Sequence, residues 1–141
     1  MRAQTLRNFF AGRLTGPELA RDLSGAFEQV GPQTRRLRMA DDLAEEFTIT
    51  ASHLVRLCDA VLAGEVPAEA LEAIGFGLIA SDEFCWDSDT PDGSRVAEAL
   101  YDWAAPEVNY ALTPATVAKF RHRLLTGEDT FTQADFAPRS A

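Results

Sequence analysis

The residues best placed to do chemistry lie in one stretch, Ser81-Asp82-Glu83-Phe84-Cys85-Trp86-Asp87-Ser88-Asp89-Thr90-Pro91-Asp92-Gly93. It holds five acids, no base and two large aromatic rings. Carboxylates at short intervals first suggest a calcium loop, which needs acids at loop positions 1, 3 and 5, Gly at 6 and Glu at 12. Counted from Asp87, position 5 is Pro91 and Gly93 falls at 7, although Glu98 lands at 12. The register fails by one residue at the sharp turn, so no metal site is expected here. Two readings remain open. The stretch is a solvated connection between helices, or it is a binding edge in which Asp82, Glu83, Asp87, Asp89 and Asp92 meet a basic protein surface around Trp86. Trp is a common anchor at interfaces, and flanking acids supply steering and register.

A second acidic cluster comprises Asp41, Asp42, Glu45 and Glu46. Asp42 and Glu46 are four apart and share a face if the segment is helical, which costs a few tenths of a kcal/mol unless a cation answers them. Arg35, Arg36 and Arg38 are the nearer cations, and an external basic partner is the alternative. A third patch, Tyr101, Asp102, Trp103, Glu107, Asn109 and Tyr110, sets aromatics among acids. Helical period puts Trp103 on the Leu100 side and so in the core, and Tyr110 falls in a connection where it is exposed or half-buried. His53 and His122 have no nucleophile at facing positions, and Cys58 stands five residues from His53, the wrong helical spacing. No phosphate-cradling loop, zinc-binding helix or nucleophile elbow occurs. An enzyme would need a His/carboxylate site assembled in space. No catalytic residue and no cofactor is expected.

Any such site must be carried by a single domain. The chain has 141 residues, 46% of them hydrophobic, enough for a core without disulfides and unlike a disordered acidic tail. Net charge is −9, and it is unevenly laid out. Residues 1–38 carry seven Arg and three acids, whereas residues 39–107 carry sixteen acids against Arg56 and Arg95. An excess of this sign argues against nucleic acid, whose phosphates need Lys and Arg, and against an anionic membrane surface. The longest apolar run, Ala73 to Ala80, is too short to span a bilayer. Cys58 and Cys85 form neither a disulfide scaffold nor a ligand pair, which fits a reducing compartment. Arg2, Arg7 and Arg13 faintly suggest a targeting peptide, but Arg13 interrupts any apolar region, and residues 1–17 are read as part of the fold. A cytoplasmic protein is expected.

Almost every segment has helical period. Leu6, Phe9 and Phe10 make one face, stopped by Gly12; Thr15 caps a second helix with Pro17 and Glu18 in its first turn and Leu19, Leu23, Ala26, Phe27 and Val30 inward. Met39, Leu43 and Phe47 suggest a short helix, and Thr48-Ile49-Thr50 is strand-like but too short for a sheet. Thr50 or Ser52 caps a helix through Leu54, Leu57, Cys58, Val61 and Leu62, closed by Gly64. Pro67 opens the next, apolar nearly all round and expected at the centre. Its Gly75 and Gly77 each cost about 1 kcal/mol in propensity and are tolerable if another helix packs closely there. The loop through Asp82–Gly93 leads to a helix with Val96, Ala97, Leu100 and Trp103, ended by Pro106. Thr113-Pro114 starts the last, with Val117, Phe120, Leu124 and Leu125, ended by Gly127. Residues 128–141 are weakly patterned, with Phe131 and Phe136 expected to dock. The fold class is therefore all-α, one bundle of five to seven helices.

The opening pattern Leu6-x-x-Phe9-Phe10-x-Gly12-x-Leu14-Thr15-x-x-Glu18-Leu19 resembles the start of bacterial colicin-like self-protective immunity proteins, over residues 6 to about 30. The run Asp82 to Asp92, followed by Asp102-Trp103-x-x-Pro106-Glu107-x-Asn109-Tyr110-x-Leu112-Thr113, is similar to immunity proteins of polymorphic or contact-dependent toxin systems. This chain is longer than the small colicin type, and no binding residue is carried over. The resemblance implies a helical, acidic, non-enzymatic protein that neutralises a cognate toxin domain. The alternative is a helical regulatory or adaptor module that binds a cellular protein.

Overall fold

The computed structural model of the chain describes residues 3–30 and 46–136, the side chains of 24–30 excepted. Asp41, Asp42 and Glu45, the arginines at 35, 36 and 38, and the helix expected around Met39 and Leu43 lie outside the described residues. Helix α1 spans Ala3–Phe10 and buries Leu6, Phe9 and Phe10. Gly12 ends it at φ 79°, a left-handed turn that a side chain would strain. Helix α2, Gly16–Val30, opens on a reciprocal cap: the Thr15 amide donates to Glu18 Oε1 at 3.2 Å and the Glu18 amide to Thr15 Oγ1 at 3.4 Å.

The strand-like residues do find a partner. Strand β1, Phe47–Thr48, runs parallel to β2, Phe84–Cys85, with Phe47 opposite Phe84 and Thr48 opposite Cys85. The Phe47 amide donates to the Glu83 carbonyl at 2.7 Å, and the Ile49 amide to the Cys85 carbonyl at 2.8 Å. Phe47 is thus on a strand, not on a helical face with Met39 and Leu43. Its ring joins Phe10 at 6.0 Å and Phe84 at 5.9 Å in an aromatic cluster that only the paired arrangement assembles.

Four helices make the body: α3 (Ala51–Leu62), α4 (Ala70–Ala80), α5 (Pro91–Ala104) and α6 (Pro114–Thr126). They pack as two pairs, α3 on α6 and α4 on α5. The helix in extensive contact with three others is α5, which also meets α3 and α6, whereas α4, expected at the centre, packs chiefly on α5. Gly75 explains how closely. A Cβ there would stand 3.0 Å from the Leu100 carbonyl oxygen and 3.0 Å from Trp103 Cβ. Trp103 is fully buried, edge-on to Phe120.

Helix α5 begins two residues before the expected Gly93. Thr90 caps it, accepting the Gly93 amide at 3.0 Å, with Pro91 in its first turn. Thr113 and Thr116 cap α6 reciprocally, and Gly127 ends it at φ 80°. The tail docks through Phe136: Phe131 stacks on Tyr110 at 3.9 Å, the Ala111 amide donates to the Asp135 carbonyl at 3.0 Å, and Lys119 pairs with Asp135. The Lys119 and Thr132 hydrogen bonds hold the Asp135 carboxyl below its ordinary range. Among the described residues no helix is long and apolar enough to cross a membrane.

Candidate partner-binding face

The acidic loop is rigidly mounted. Behind it, Phe84 is buried, and Trp86 packs against the core while staying half-exposed. Glu83 is half-buried and accepts from Ser81 Oγ at 2.8 Å. Asp87 anchors the far end. Its carbonyl accepts from Thr90 Oγ1 at 2.7 Å, and its Oδ1 accepts the Asp89 amide at 3.0 Å. The loop backbone lies directly on α5, since a Cβ on Gly93 would fall 1.7 Å from the Asp87 carbonyl oxygen. Only glycine admits that contact.

Asp92 has work inside the fold. Its Oδ2 accepts the Ala51 amide at 3.1 Å, so a carboxylate from the first turn of α5 satisfies an orphan donor at the positive end of α3. Asp82 and Asp89 are exposed, and no hydrogen bond among the described residues engages either carboxylate. The ladder also joins two parts of the charge pattern. Glu46, exposed, and Glu83 immediately precede β1 and β2, so the described end of the second acidic cluster reaches the start of the first.

The third sequence patch becomes a cleft of about 510 Å³ beside the loop, which contributes Ser88 to its wall. Tyr101, Tyr110 and Phe136 supply rings; Glu98, Asp102 and Asp129 supply carboxylates. Trp103 belongs to the core instead, as its helical position predicts. Sequence reasoning did not place Glu98, Asp129 or Phe136 here, because they come from separate elements. Nor did it single out Arg123. Arg123 is buried, bonded to Asp102 Oδ2 at 2.7 Å and lying over the rings of Phe120 at 5.2 Å and Phe131 at 5.3 Å. The i, i+4 pair Glu98 and Asp102 on α5 was the available signal for that partner. Burial and the charges of Asp129 and Asp102 raise the Tyr110 phenol above its ordinary value.

Of the remaining reactive side chains, His53 and Cys58 are occupied structurally. His53 Nδ1 accepts the Thr50 amide at 3.0 Å, capping α3. Burial pushes the Cys58 thiol up to about 12, so it stays protonated and poorly nucleophilic at neutral pH. His122 Nε2 stands 3.7 Å from Glu128 Oε1, beyond hydrogen-bond reach. Among the described residues no three His, Cys, Asp or Glu side chains converge as metal ligands would. A second opening, an apolar groove of about 920 Å³, runs between α2, the α3–α4 connection and the start of α6, lined by Leu23, Val61, Val66, Pro67, Leu112 and Pro114. No family model, no curated protein and no solved structure matches the chain.

Proposed function

We propose that the chain is a stoichiometric protein inhibitor, an immunity protein that binds and neutralises a bacterial toxin domain through its acidic face. The observation that carries this reading is that exposed Asp87 and Asp89 flank Ser88 in the wall of the carboxylate- and ring-lined cleft, with exposed Asp82 on the same loop. A toxin that acts on nucleic acid or nucleotides needs a basic site. An acidic face held rigidly on a helix body can cover such a site after long-range attraction and fast association. The surface accommodates an interface of standard size, roughly 1,600 Å² in total. Cys58 and Cys85, both free, fit work in the reducing cytoplasm.

The test is capture of a partner with tagged protein from the source cells, washed at low and then high salt, followed by kinetics on the pair. Asp82 and Asp89 are the positions to reverse, because Asp92 holds α3 and its loss would damage the fold. The double variant Asp82→Lys, Asp89→Lys should slow association about tenfold at low salt, flatten its salt dependence and leave dissociation less affected. An unchanged association rate removes the loop from the interface. The apolar groove favours a second reading, a helical regulatory or adaptor module that binds a cellular protein. That reading requires capture that survives high salt and the loop reversal but is lost on Leu112→Asp.

A further inference from the structure

We infer that the cleft between α5 and the docked tail receives a guanidinium group, an arginine side chain presented by the protein partner; this rests on the inhibitor reading for its source of arginine. The molecule contains its own template one layer deeper. The Arg123 guanidinium is hydrogen-bonded by Asp102, with Glu98 as a looser ion-pair partner, over two rings, Phe120 and Phe131. The cleft repeats that combination at the surface. Glu98, 60% exposed, and Asp129 offer outward carboxylates, and Arg123 is 3.9 Å from Glu98, too far for a hydrogen bond to hold it. Tyr101 and Phe136, 58% and 50% exposed, are large apolar side chains left open to solvent, and both line this one cleft with Tyr110.

The chemistry selects among ligands. An anion is disfavoured because three carboxylates face one arginine that Asp102 already neutralises. A bare metal ion is disfavoured because the carboxylates do not converge among the described residues and rings intervene. An organic cation fits both the rings and the surplus negative charge. A planar guanidinium stacks on a ring and pairs with a carboxylate at the same time, which a strongly hydrated ammonium does less well.

The probe is N-acetyl-arginine amide, titrated into the intact protein while the ring protons of Tyr101 and Tyr110 are followed by NMR. Saturable shifts are expected with arginine, weaker ones with N-acetyl-lysine amide and none with N-acetyl-citrulline amide, the neutral isostere. Glu98→Gln should weaken arginine binding about fivefold without moving the melting temperature, since that carboxylate is exposed. Asp129→Asn, which keeps an oxygen to accept the Phe131 amide, should do the same. Absence of shifts with arginine, or equal shifts with citrulline, overturns the assignment; equal binding of lysine overturns the choice of guanidinium. These outcomes are separable from failure of the inhibitor reading. A captured toxin with no arginine binding sinks the cleft alone, and arginine binding without any toxin partner sinks the inhibitor alone.

Discussion

At Thr50 the chain turns from strand to helix, and the amide left over is accepted by His53 Nδ1 at 3.0 Å. The ring that accepts it lies 5.4 Å from Phe10 and 5.0 Å from Phe47. A nitrogen that accepts cannot carry a proton, and burial lowers the pKa below 6.5, with the Asp92 charge opposing. The unfolded chain therefore binds more protons than the native state as pH falls below the ordinary value. The His53 contribution is complete above about pH 6.5 and is lost as pH falls through its lowered native pKa. Denaturation midpoints measured at about pH 8 and about pH 5 should fall with acidification. In His53→Gln the amide oxygen can still cap the helix but does not titrate, so that fall should shrink while most stability at the higher pH is kept. His53→Ala should lose about 1 kcal/mol at the higher pH. An undiminished acid slope in the Gln variant would assign it to another group.

Among the elements, α4 and α5 are held together by an absence. Gly75 costs α4 propensity, yet Ala there would press its Cβ on backbone and Cβ atoms of α5, none of which is a flexible side-chain end. Gly75→Ala should therefore destabilise the protein by about 1–3 kcal/mol despite the better helix former, as measured by urea unfolding. A gain in stability would mean the pair can separate without loss. That close approach was legible from the glycines, as were the helix stops at Gly12, Gly64 and Gly127, all with positive φ. Thr113-Pro114 announced a helix start, and Thr90-Pro91 is the same signal, hidden within a run of Asp and Ser that reads as loop. Phe47 was not legible. Whether it belongs to a strand depends on Phe84, a partner far along the chain that no local period reports.

For the whole molecule, the charge of −9 is a standing repulsion that the fold tolerates. Raising salt from a low value should stabilise the free protein, moving its melting temperature up by about 3 °C if about 1 kcal/mol is relieved. Under the proposed inhibitor reading, the same salt should slow association with a basic partner. A melting temperature that falls with salt would show that pairs such as Arg123–Asp102 outweigh the repulsion. The candidate face was half legible. Composition marked the Asp82–Asp92 loop, but which of its acids remain available follows from three-dimensional neighbours. Asp92 is engaged by Ala51, on an element remote in sequence, and the cleft needs the tail to fold back.

The two-residue ladder also bears on how the chain acquires this face. Thr48 and Cys85 are separated by 37 positions, so their pairing closes a loop around α3 and α4. Closing a loop of that length costs about 3 kcal/mol in chain entropy, and short strands return little until the helices have packed. The ladder should form on the downhill side of the folding barrier. Phe84→Leu should accelerate unfolding and leave the refolding rate nearly unchanged in stopped-flow measurements. A refolding rate that drops in step with stability would put the ladder in the nucleus instead. With late closure, a newly made chain has its helices before it has an ordered acidic loop, and the face proposed for partner binding is the last part of the molecule to be completed.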